Sequence, residues 1–162
     1  MELPKRKSPR ISGYDYSTNG AYFITVCTKD KMPLFGPVGA DSISARMIVR
    51  TFLEVIGKYS QVNSPIYTVM PNHFHAIIVI DRADMESAPT ISEVIRNFKR
   101  YSTLEYIKMV KNGILPPFEG KIWQRSFHDH IIRDEAGYLK IWNYIEGNPS
   151  RWEEDCFYMK EE

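Results

Sequence analysis

The hydrophobic residues of the chain recur with two different periods, and each period predicts a kind of element. Ala21–Thr28 is a run of β-branched and aromatic residues, which predicts a strand. From position 45 to position 56 the apolar residues fall three or four apart, which predicts a helix. Asp41 or Ser42 can cap the start of that helix, and Gly57 lies near its end.

The same two periods continue through the middle of the chain. Ile66–Met70 and Phe74–Ile80 predict two further strands, and the short link Pro71-Asn72 between them predicts a hairpin. Thr90 and Glu93 have the spacing of a capping box, so a second helix begins there and runs to about Lys111.

The last third of the chain predicts one strand and one helix. Ser126–Arg133 has the composition of a strand, and a third helix runs from about Ala136 to Gly147, where Pro149 stops it. The order is therefore strand, helix, strand, strand, helix, strand, with one helix added. This order predicts an α+β fold with a ferredoxin-like or RRM-like antiparallel sheet, helices packed on one face and an added C-terminal helix.

Composition narrows the class of protein without naming a function. The 162 residues suit a single domain, 1–162, in which residues 1–20 form a basic N-terminal arm and residues 153–162 an acidic tail. The longest apolar run, Ala76–Ile80, is far too short to span a membrane, so no membrane partner is expected. Two distant cysteines predict neither a disulfide framework nor a zinc site, and the expected compartment is cytoplasmic.

The net charge of +1 conceals an uneven distribution of charged residues. Residues 91–133 carry eight basic and four acidic side chains, whereas residues 134–162 carry three and eight. Within the basic segment, the row Arg96, Lys99 and Arg100 lies on the helix face opposite the apolar stripe, with no acidic residue four positions from Arg96 or Lys99. This row is either a plain solvated face or a surface that binds phosphates.

Two H-x-H patterns lie on predicted strands. On a strand, alternate side chains point to the same face, so His73 and His75 can hold one cation while Phe74 points to the other face. A structural role for this pair remains an alternative. The second pair, His128 and His130, is a metal pair, a DNA-contacting edge or, as we favour, two hydrogen-bonded polar residues.

The last helix presents a phenol and an amide beside its apolar stripe. Tyr138, Ile141, Trp142 and Ile145 form the stripe that is expected to be buried. Tyr144 and Asn148 lie together on one flank, four residues apart and so about one turn from each other. Spacing alone equally allows Tyr144 to be a boundary residue with its hydroxyl in water. Because Asn148 precedes Pro149, we expect it to avoid α geometry and to lie on a frayed last turn.

Several segments, in order, resemble one family. The runs YTVMPNHFHAIIVI (67–80), WQRSFHDHIIRD (123–134) and YIEGNPSRW (144–152) are similar to the REP-associated tyrosine transposases, a branch of the single-tyrosine HUH transposases. The N-terminal stretch around Tyr14 and Tyr22 is similar to the start of such proteins. The resemblance covers about residues 5 to 152.

The resemblance implies a role for each candidate residue. It makes Tyr144 the nucleophile, His73 and His75 the ligands of a divalent metal, Mg²⁺ or Mn²⁺, and Asn148 the third ligand. Two imidazoles beside oxygen ligands suit the manganese end of that choice. The reaction implied is cleavage and rejoining of DNA through a 5′-phosphotyrosine.

The resemblance also implies single-stranded DNA with hairpin structure as the partner, with the protein acting as a monomer or a homodimer. The expected DNA contacts are basic or aromatic, from the arm, the second helix and the segment before the fourth strand: Arg6, Arg10, Tyr14, Arg96, Lys99, Arg100 and Arg125. Two competing hypotheses are a non-catalytic module derived from such a transposase, which binds single-stranded nucleic acid, and a metal-dependent hydrolase that uses water as nucleophile. RNA recognition by the sheet is disfavoured, because Ala76–Ile80 is apolar throughout.

Overall fold

The computed structural model describes residues 20–38, 42–81 and 88–160. Within them the strands are β1 (Gly20–Cys27), β2 (Val62–Met70), β3 (His73–Ile80) and β4 (His128–Ile132), and the α-helices are α1 (Ile43–Gly57), α2 (Ile91–Lys111) and α3 (Glu135–Gly147). Short 3-10 helices follow β1 at Lys29–Lys31 and α3 at Pro149–Glu154. None of the described helices is both long and apolar enough to cross a membrane. The predicted contacts Arg6, Arg10 and Tyr14, and the alternative cap Asp41, lie outside the described residues.

The four strands form one antiparallel sheet in the order β2-β3-β1-β4. Consecutive β2 and β3 form the expected hairpin, while α1 and α2 connect strands that are not hairpin neighbours. The predicted α+β arrangement is thus confirmed. β2 begins earlier than predicted, and its register shifts between Asn63 and Ile66, where Pro65 cannot donate a ladder hydrogen bond.

One face of the sheet carries the hydrophobic core under α1 and α2. Ser42 caps α1 by accepting a hydrogen bond from the Ala45 backbone N–H, and Thr90 caps α2 in the same way with Glu93. Alternate residues of the two central strands point to these helices and are buried: Tyr22, Ile24, Val26, Phe74, Ala76, Ile78 and Ile80. This one-sided packing leaves the opposite face of the sheet for α3 and for the histidine pair.

α3 packs on the opposite face, over β2 and β3. Only Ile145 of its predicted stripe is fully buried, whereas Tyr138, Ile141 and Trp142 are half-buried. The reason is that no second α-helix of the described residues packs beside α3, so a stripe that rests on this face stays partly open to solvent.

The prediction for the end of α3 was wrong in one respect. Asn148 has φ −60° and ψ −44°, which is α geometry, although Pro149 follows it. The chain does not fray there, because Pro149 is the first residue of the next 3-10 helix, a position where its missing N–H costs nothing. Asn148 therefore joins two helical segments and is 4% exposed.

Candidate active site

The two histidines of β3 form the centre of the candidate site. His73 and His75 are 0% and 1% exposed, and their ring centroids are 4.5 Å apart. Phe74 points the other way and packs on Phe52 and Phe98 in the core. The alternation of a strand thus places both imidazoles on one face and anchors the residue between them in the other layer.

Hydrogen bonds at Nδ1 orient both imidazoles. His73 Nδ1 donates to the side-chain oxygen of Asn72 at 2.8 Å, and Asn72 in turn donates to the backbone oxygen of Phe157 at 2.8 Å. His75 Nδ1 lies 2.9 Å from the Thr25 hydroxyl. When Nδ1 carries the proton and donates it, as His73 Nδ1 does to Asn72, the lone pair of Nε2 is available, which is the usual arrangement of a metal-binding histidine.

Three buried atoms at this place have no hydrogen-bond partner among the described residues: His73 Nε2, His75 Nε2 and Asn148 Oδ1. A buried polar atom left without a partner costs free energy and requires an explanation. Two imidazole nitrogens and one amide oxygen are ligand atoms that Mn²⁺ and related divalent cations accept. The residues present therefore fit a divalent cation such as the one that the family resemblance implies.

The structure adds Asp155, which the sequence assigned only to an acidic tail. Asp155 Oδ2 lies 3.7 Å from His73 Nε2 and accepts a hydrogen bond of 2.9 Å from Asn148 Nδ2. Ligand atoms of His73, His75 and Asp155 all lie within 4.8 Å of one another, so this cluster could hold a metal ion. No local pattern identifies Asp155, because it lies 82 positions beyond His73, the β3 residue that it contacts.

Burial keeps both imidazoles neutral. It lowers the pKa of His73 to about 4, although the Asp155 carboxylate opposes that shift. Burial and the neighbouring His73 hold the pKa of His75 well below its usual value. Because neutral imidazole is the form that binds metal, the pair can act as ligands at neutral pH without losing a proton.

Tyr144 stands at the edge of the histidine pair. Its side chain is 40% exposed, and its ring meets His75 and Phe23 edge-on, with centroids 5.5 Å and 5.9 Å away. Burial and the Asp155 carboxylate raise the pKa of the Tyr144 phenol. The α-helical spacing thus presents Tyr144 beside the cluster, with Asn148 one turn later inside it.

The C-terminal segment covers the other side of His73. The Phe157 ring lies 4.6 Å from the His73 ring and the Trp152 ring 5.8 Å from it, measured between centroids. The Phe157 backbone N–H donates to Asp155 Oδ1 at 2.8 Å, which holds the segment in place. Asp155 and Phe157 thus belong to the walls of the site.

The expected DNA contacts of the described residues lie at α2 and the segment before β4. Arg96, Arg100 and Arg125 are exposed. Lys99 donates to three backbone oxygens, of Gln124, Arg125 and Ser126. Between α2 and residues 120–125 lies a groove of about 380 Å³, and its lining includes four basic residues: Lys99, Arg100, Lys121 and Arg125.

The chain is similar to known proteins both in its sequence and in its fold. No model of a protein family matches it. A Haemophilus influenzae protein named "Uncharacterized protein" is 31% identical over 175 residues, which cover 95% of this chain and 93% of that protein. Another Haemophilus influenzae protein, named "Putative REP-associated tyrosine transposase", is 25% identical over 135 residues, or 83% of this chain and 73% of that protein.

Two solved structures share the fold. One is a REP-associated tyrosine transposase bound to a REP hairpin, with a TM-score of 0.61 and 22% identity over 88% of this chain and 74% of that chain. The other is described as a "putative transposase" from Deinococcus radiodurans R1, with a TM-score of 0.55 and 16% identity over 85% and 97%.

The names of these relatives agree with the family that the sequence motifs resemble. The sequence relatives extend over most of the chain, and the solved structures have the same α+β architecture. The histidine pair and the helix that carries Tyr144 meet at one place on the shared fold. The chain is therefore related to the REP-associated tyrosine transposases: it is similar in sequence to a protein named as one and has the fold of another.

Proposed function

We propose that the chain, acting as a single domain, is a transposase that cleaves and rejoins single-stranded DNA through a covalent bond to Tyr144. One observation carries this proposal: the unpartnered Nε2 atoms of His73 and His75 and the unpartnered Oδ1 of Asn148 converge beside Tyr144. Three free ligand atoms next to a partly exposed phenol are what metal-assisted attack on a phosphodiester requires.

His73, His75 and Asn148 would hold the divalent cation, and Asp155 adds a carboxylate at the same place. A bound Mg²⁺ or Mn²⁺ supplies positive charge that neutralises a phosphodiester oxygen and aligns the scissile bond. The two imidazoles favour Mn²⁺, whereas the carboxylate and the amide oxygen suit both ions. The Asn72 and Thr25 side chains keep the two rings in the orientation that ligation needs.

The proposed reaction is a transfer of the phosphoryl group from DNA to Tyr144. The Tyr144 oxygen forms a bond to phosphorus while the bond from phosphorus to the 3′ oxygen breaks, so the phenol loses its proton and the leaving 3′ oxygen gains one. The product is a 5′-phosphotyrosine and a free 3′-hydroxyl. A second 3′-hydroxyl can attack the phosphotyrosine and reverse the step, which joins strands without ATP because the covalent bond conserves the phosphoester.

The DNA would be bound as a hairpin with single-stranded flanks, in keeping with the structural relative that is bound to a REP hairpin. The basic groove between α2 and residues 120–125 supports this, because clustered Lys and Arg side chains bind phosphates independently of sequence. We include the whole predicted set in the contact surface: Arg6, Arg10, Tyr14, Arg96, Lys99, Arg100 and Arg125. The protein would bind it as a monomer or a homodimer.

The test is an end-labelled single strand that contains a hairpin from the flanks of the gene, incubated with Mn²⁺ and analysed on a denaturing gel. We expect a covalent protein–DNA band with the wild-type protein and no band with Tyr144→Phe, which keeps the ring but removes the nucleophilic oxygen. Tyr138→Phe, on the same helix, is the matched control and should retain the band.

Each other outcome identifies a different mechanism. Cleavage without a covalent band in both proteins would assign water as the nucleophile and favour a metal-dependent hydrolase. A band in both proteins would assign a different tyrosine. DNA binding without cleavage by either protein, over a series of hairpin flanks, would favour the non-catalytic binding module.

A further inference from the structure

The face of the sheet that carries the histidine pair is only half covered by α3. α3 packs over β2 and β3, and Tyr144 extends from it to the ring of Phe23 on β1. On the edge strand β4, His128 and His130 are exposed, whereas the adjacent Ile131 is buried towards the other layer. An open strip therefore borders the proposed nucleophile on the side away from β2.

The strand register places the second histidine pair on this strip. His130 pairs with Phe23 and His128 pairs with Thr25, and direct cross-strand neighbours point to the same face. Thr25 in turn pairs with His75 on β3. His128 thus lies two strand spacings, about 10 Å, from His75 along the hydrogen-bonding direction.

Phe23 connects this strip to the candidate active site. Its ring stacks on His75 with centroids 5.2 Å apart and meets Tyr144 edge-on, and the side chain is half-buried. Phe23, His130 and His128 therefore present three rings that lead from the nucleophile to the edge of the sheet. We name these three residues the β4 platform.

Among the described residues, the two histidines of the platform have no structural task that explains their presence. Both histidines are exposed, so they contribute little to the core, and neither belongs to the cluster of three metal-ligating residues found among the described residues. Unpaired bases, in contrast, are held by stacking on Phe and His rings, and such stacking tolerates any base.

We propose that Phe23, His128 and His130 form a base-stacking platform for the unpaired nucleotides next to the scissile phosphate. This inference rests on the proposed function, because it assigns the path of the same single strand. The phosphate would lie at His73 and His75, and the adjacent bases would lie over β1 and β4. The platform would position the strand, whereas Tyr144 would perform the chemistry.

The experiment measures binding in a Tyr144→Phe background, so that no cleavage interferes. The probe is a fluorescent oligothymidylate, which forms no hairpin, and the readout is its dissociation constant by anisotropy. Replacing both platform histidines by alanine, His128→Ala with His130→Ala, should raise the dissociation constant about tenfold or more. Replacing both by phenylalanine keeps a ring at each position and should leave it within about twofold of the background protein.

Asn63→Ala is the matched control. Asn63 is exposed and pairs with Val79, so it lies on the same face of the sheet but at the opposite edge strand, β2. This variant should bind as the background protein does. Stacking also predicts that the dependence of log affinity on log salt stays the same in all variants, because no phosphate contact is lost.

Two results would overturn the platform. The first is that the double alanine variant binds oligothymidylate as well as the background protein. The second is that the double phenylalanine variant binds as weakly as the alanine one, which would show that the imidazole nitrogens, and not ring stacking, contact the DNA. These results are separate from the covalent-band test. If the wild-type protein gives a covalent band but the platform variants bind oligothymidylate normally, only the platform proposal fails. If the platform variants bind more weakly but no protein gives a covalent band, only the proposal that Tyr144 is the nucleophile fails.

Discussion

His73 and His75 carry buried nitrogens without a hydrogen-bond partner, and that arrangement is costly in a folded protein. Each ring is also fixed through its other nitrogen, by Asn72 and by Thr25 respectively. Fixed rings with free lone pairs lose little freedom when a cation binds. At the residue scale, the protein thus accepts a local cost that a bound metal would offset.

Asp155 is the residue whose role the structure changes most, and Asp155→Asn tests it. We expect this variant to bind Mn²⁺ at least about tenfold more weakly, because a carboxylate charge next to two neutral imidazoles is lost. Asparagine keeps nearly the same shape, but its one amide oxygen can accept only one of the two hydrogen bonds that Asp155 accepts, from Asn148 and from the Phe157 backbone N–H. The measurement is calorimetric titration of the metal-free protein with Mn²⁺.

The control for this prediction is Glu154→Gln, which removes the same charge one residue earlier at an exposed position. It should leave the affinity within about twofold, since exposed charges are screened by solvent and salt. Equal weakening by both variants would show that Asp155 acts only through the general negative charge of the segment.

Local periodicity explains why most elements could be predicted from the sequence. The strand around Phe74 and the caps at Ser42 and Thr90 depend on neighbouring residues, and the structure confirms all three. The His73–His75 pair follows from strand alternation in the same way, whereas the metal and nucleophile roles came from the resemblance. Roles at the site also depend on distant contacts: Asp155 lies 82 positions beyond His73 in the chain and has no motif around it.

The junction between α3 and the following 3-10 helix shows the limit of a local rule. The preference of a residue before proline is a steric bias of modest size, and the buried contacts of Asn148 and Ile145 outweigh it here. The helical geometry of Asn148 keeps its side chain in the cluster, so the element end is part of the site.

Replacing Gly147 or Gly113 by alanine tests how the backbone conformation at two helix ends affects stability. Gly147 is helical within α3, and an added Cβ would meet only the flexible end of the Arg151 side chain, 2.6 Å from Nη2. Gly147→Ala should therefore raise the free energy of unfolding by about 0.5–1 kcal/mol, because alanine loses less backbone entropy. Gly113 follows α2 with φ +72° and has nothing near its Cβ position.

Gly113→Ala is the opposite control, and it should lower the free energy of unfolding by about 1 kcal/mol through backbone strain alone. Both values come from urea unfolding of the metal-free protein. If Gly147→Ala is less stable than the wild type, the Arg151 side chain cannot move aside. That result would show that Arg151 is held in place at the end of α3.

The two faces of the sheet divide the molecule between folding and function. The face under α1 and α2 supplies the hydrophobic core, while the face under α3 holds the histidine pair, Tyr144 and the open strip along β4. Basic residues of the described chain gather at α2 and before β4, whereas the segment from 134 onward is acidic. A nucleic acid strand is therefore expected to approach from the β4 side of the molecule.

Arg125 and Lys99 lie at the same basic groove, yet the structure gives them different roles. Arg125 is exposed, so Arg125→Ala should weaken binding of a DNA hairpin with single-stranded flanks and reduce the slope of log affinity against log salt by about one. The Lys99 ammonium donates to the backbone oxygens of Gln124, Arg125 and Ser126 at 2.7, 3.2 and 3.3 Å. Lys99→Ala should therefore also lower the free energy of unfolding, by about 1–2 kcal/mol, because those oxygens lose a charged donor.

Arg46→Ala is the control, because Arg46 is exposed on α1 away from the groove. It should alter neither the salt dependence of DNA binding nor the free energy of unfolding. Salt-dependent DNA binding and urea unfolding, measured on the three variants, separate the two roles. If Lys99→Ala reduced the salt slope without any loss of stability, Lys99 would be a phosphate contact like Arg125. If it reduced stability and DNA affinity together, the loop that leads into β4 would be the element through which Lys99 acts on the DNA.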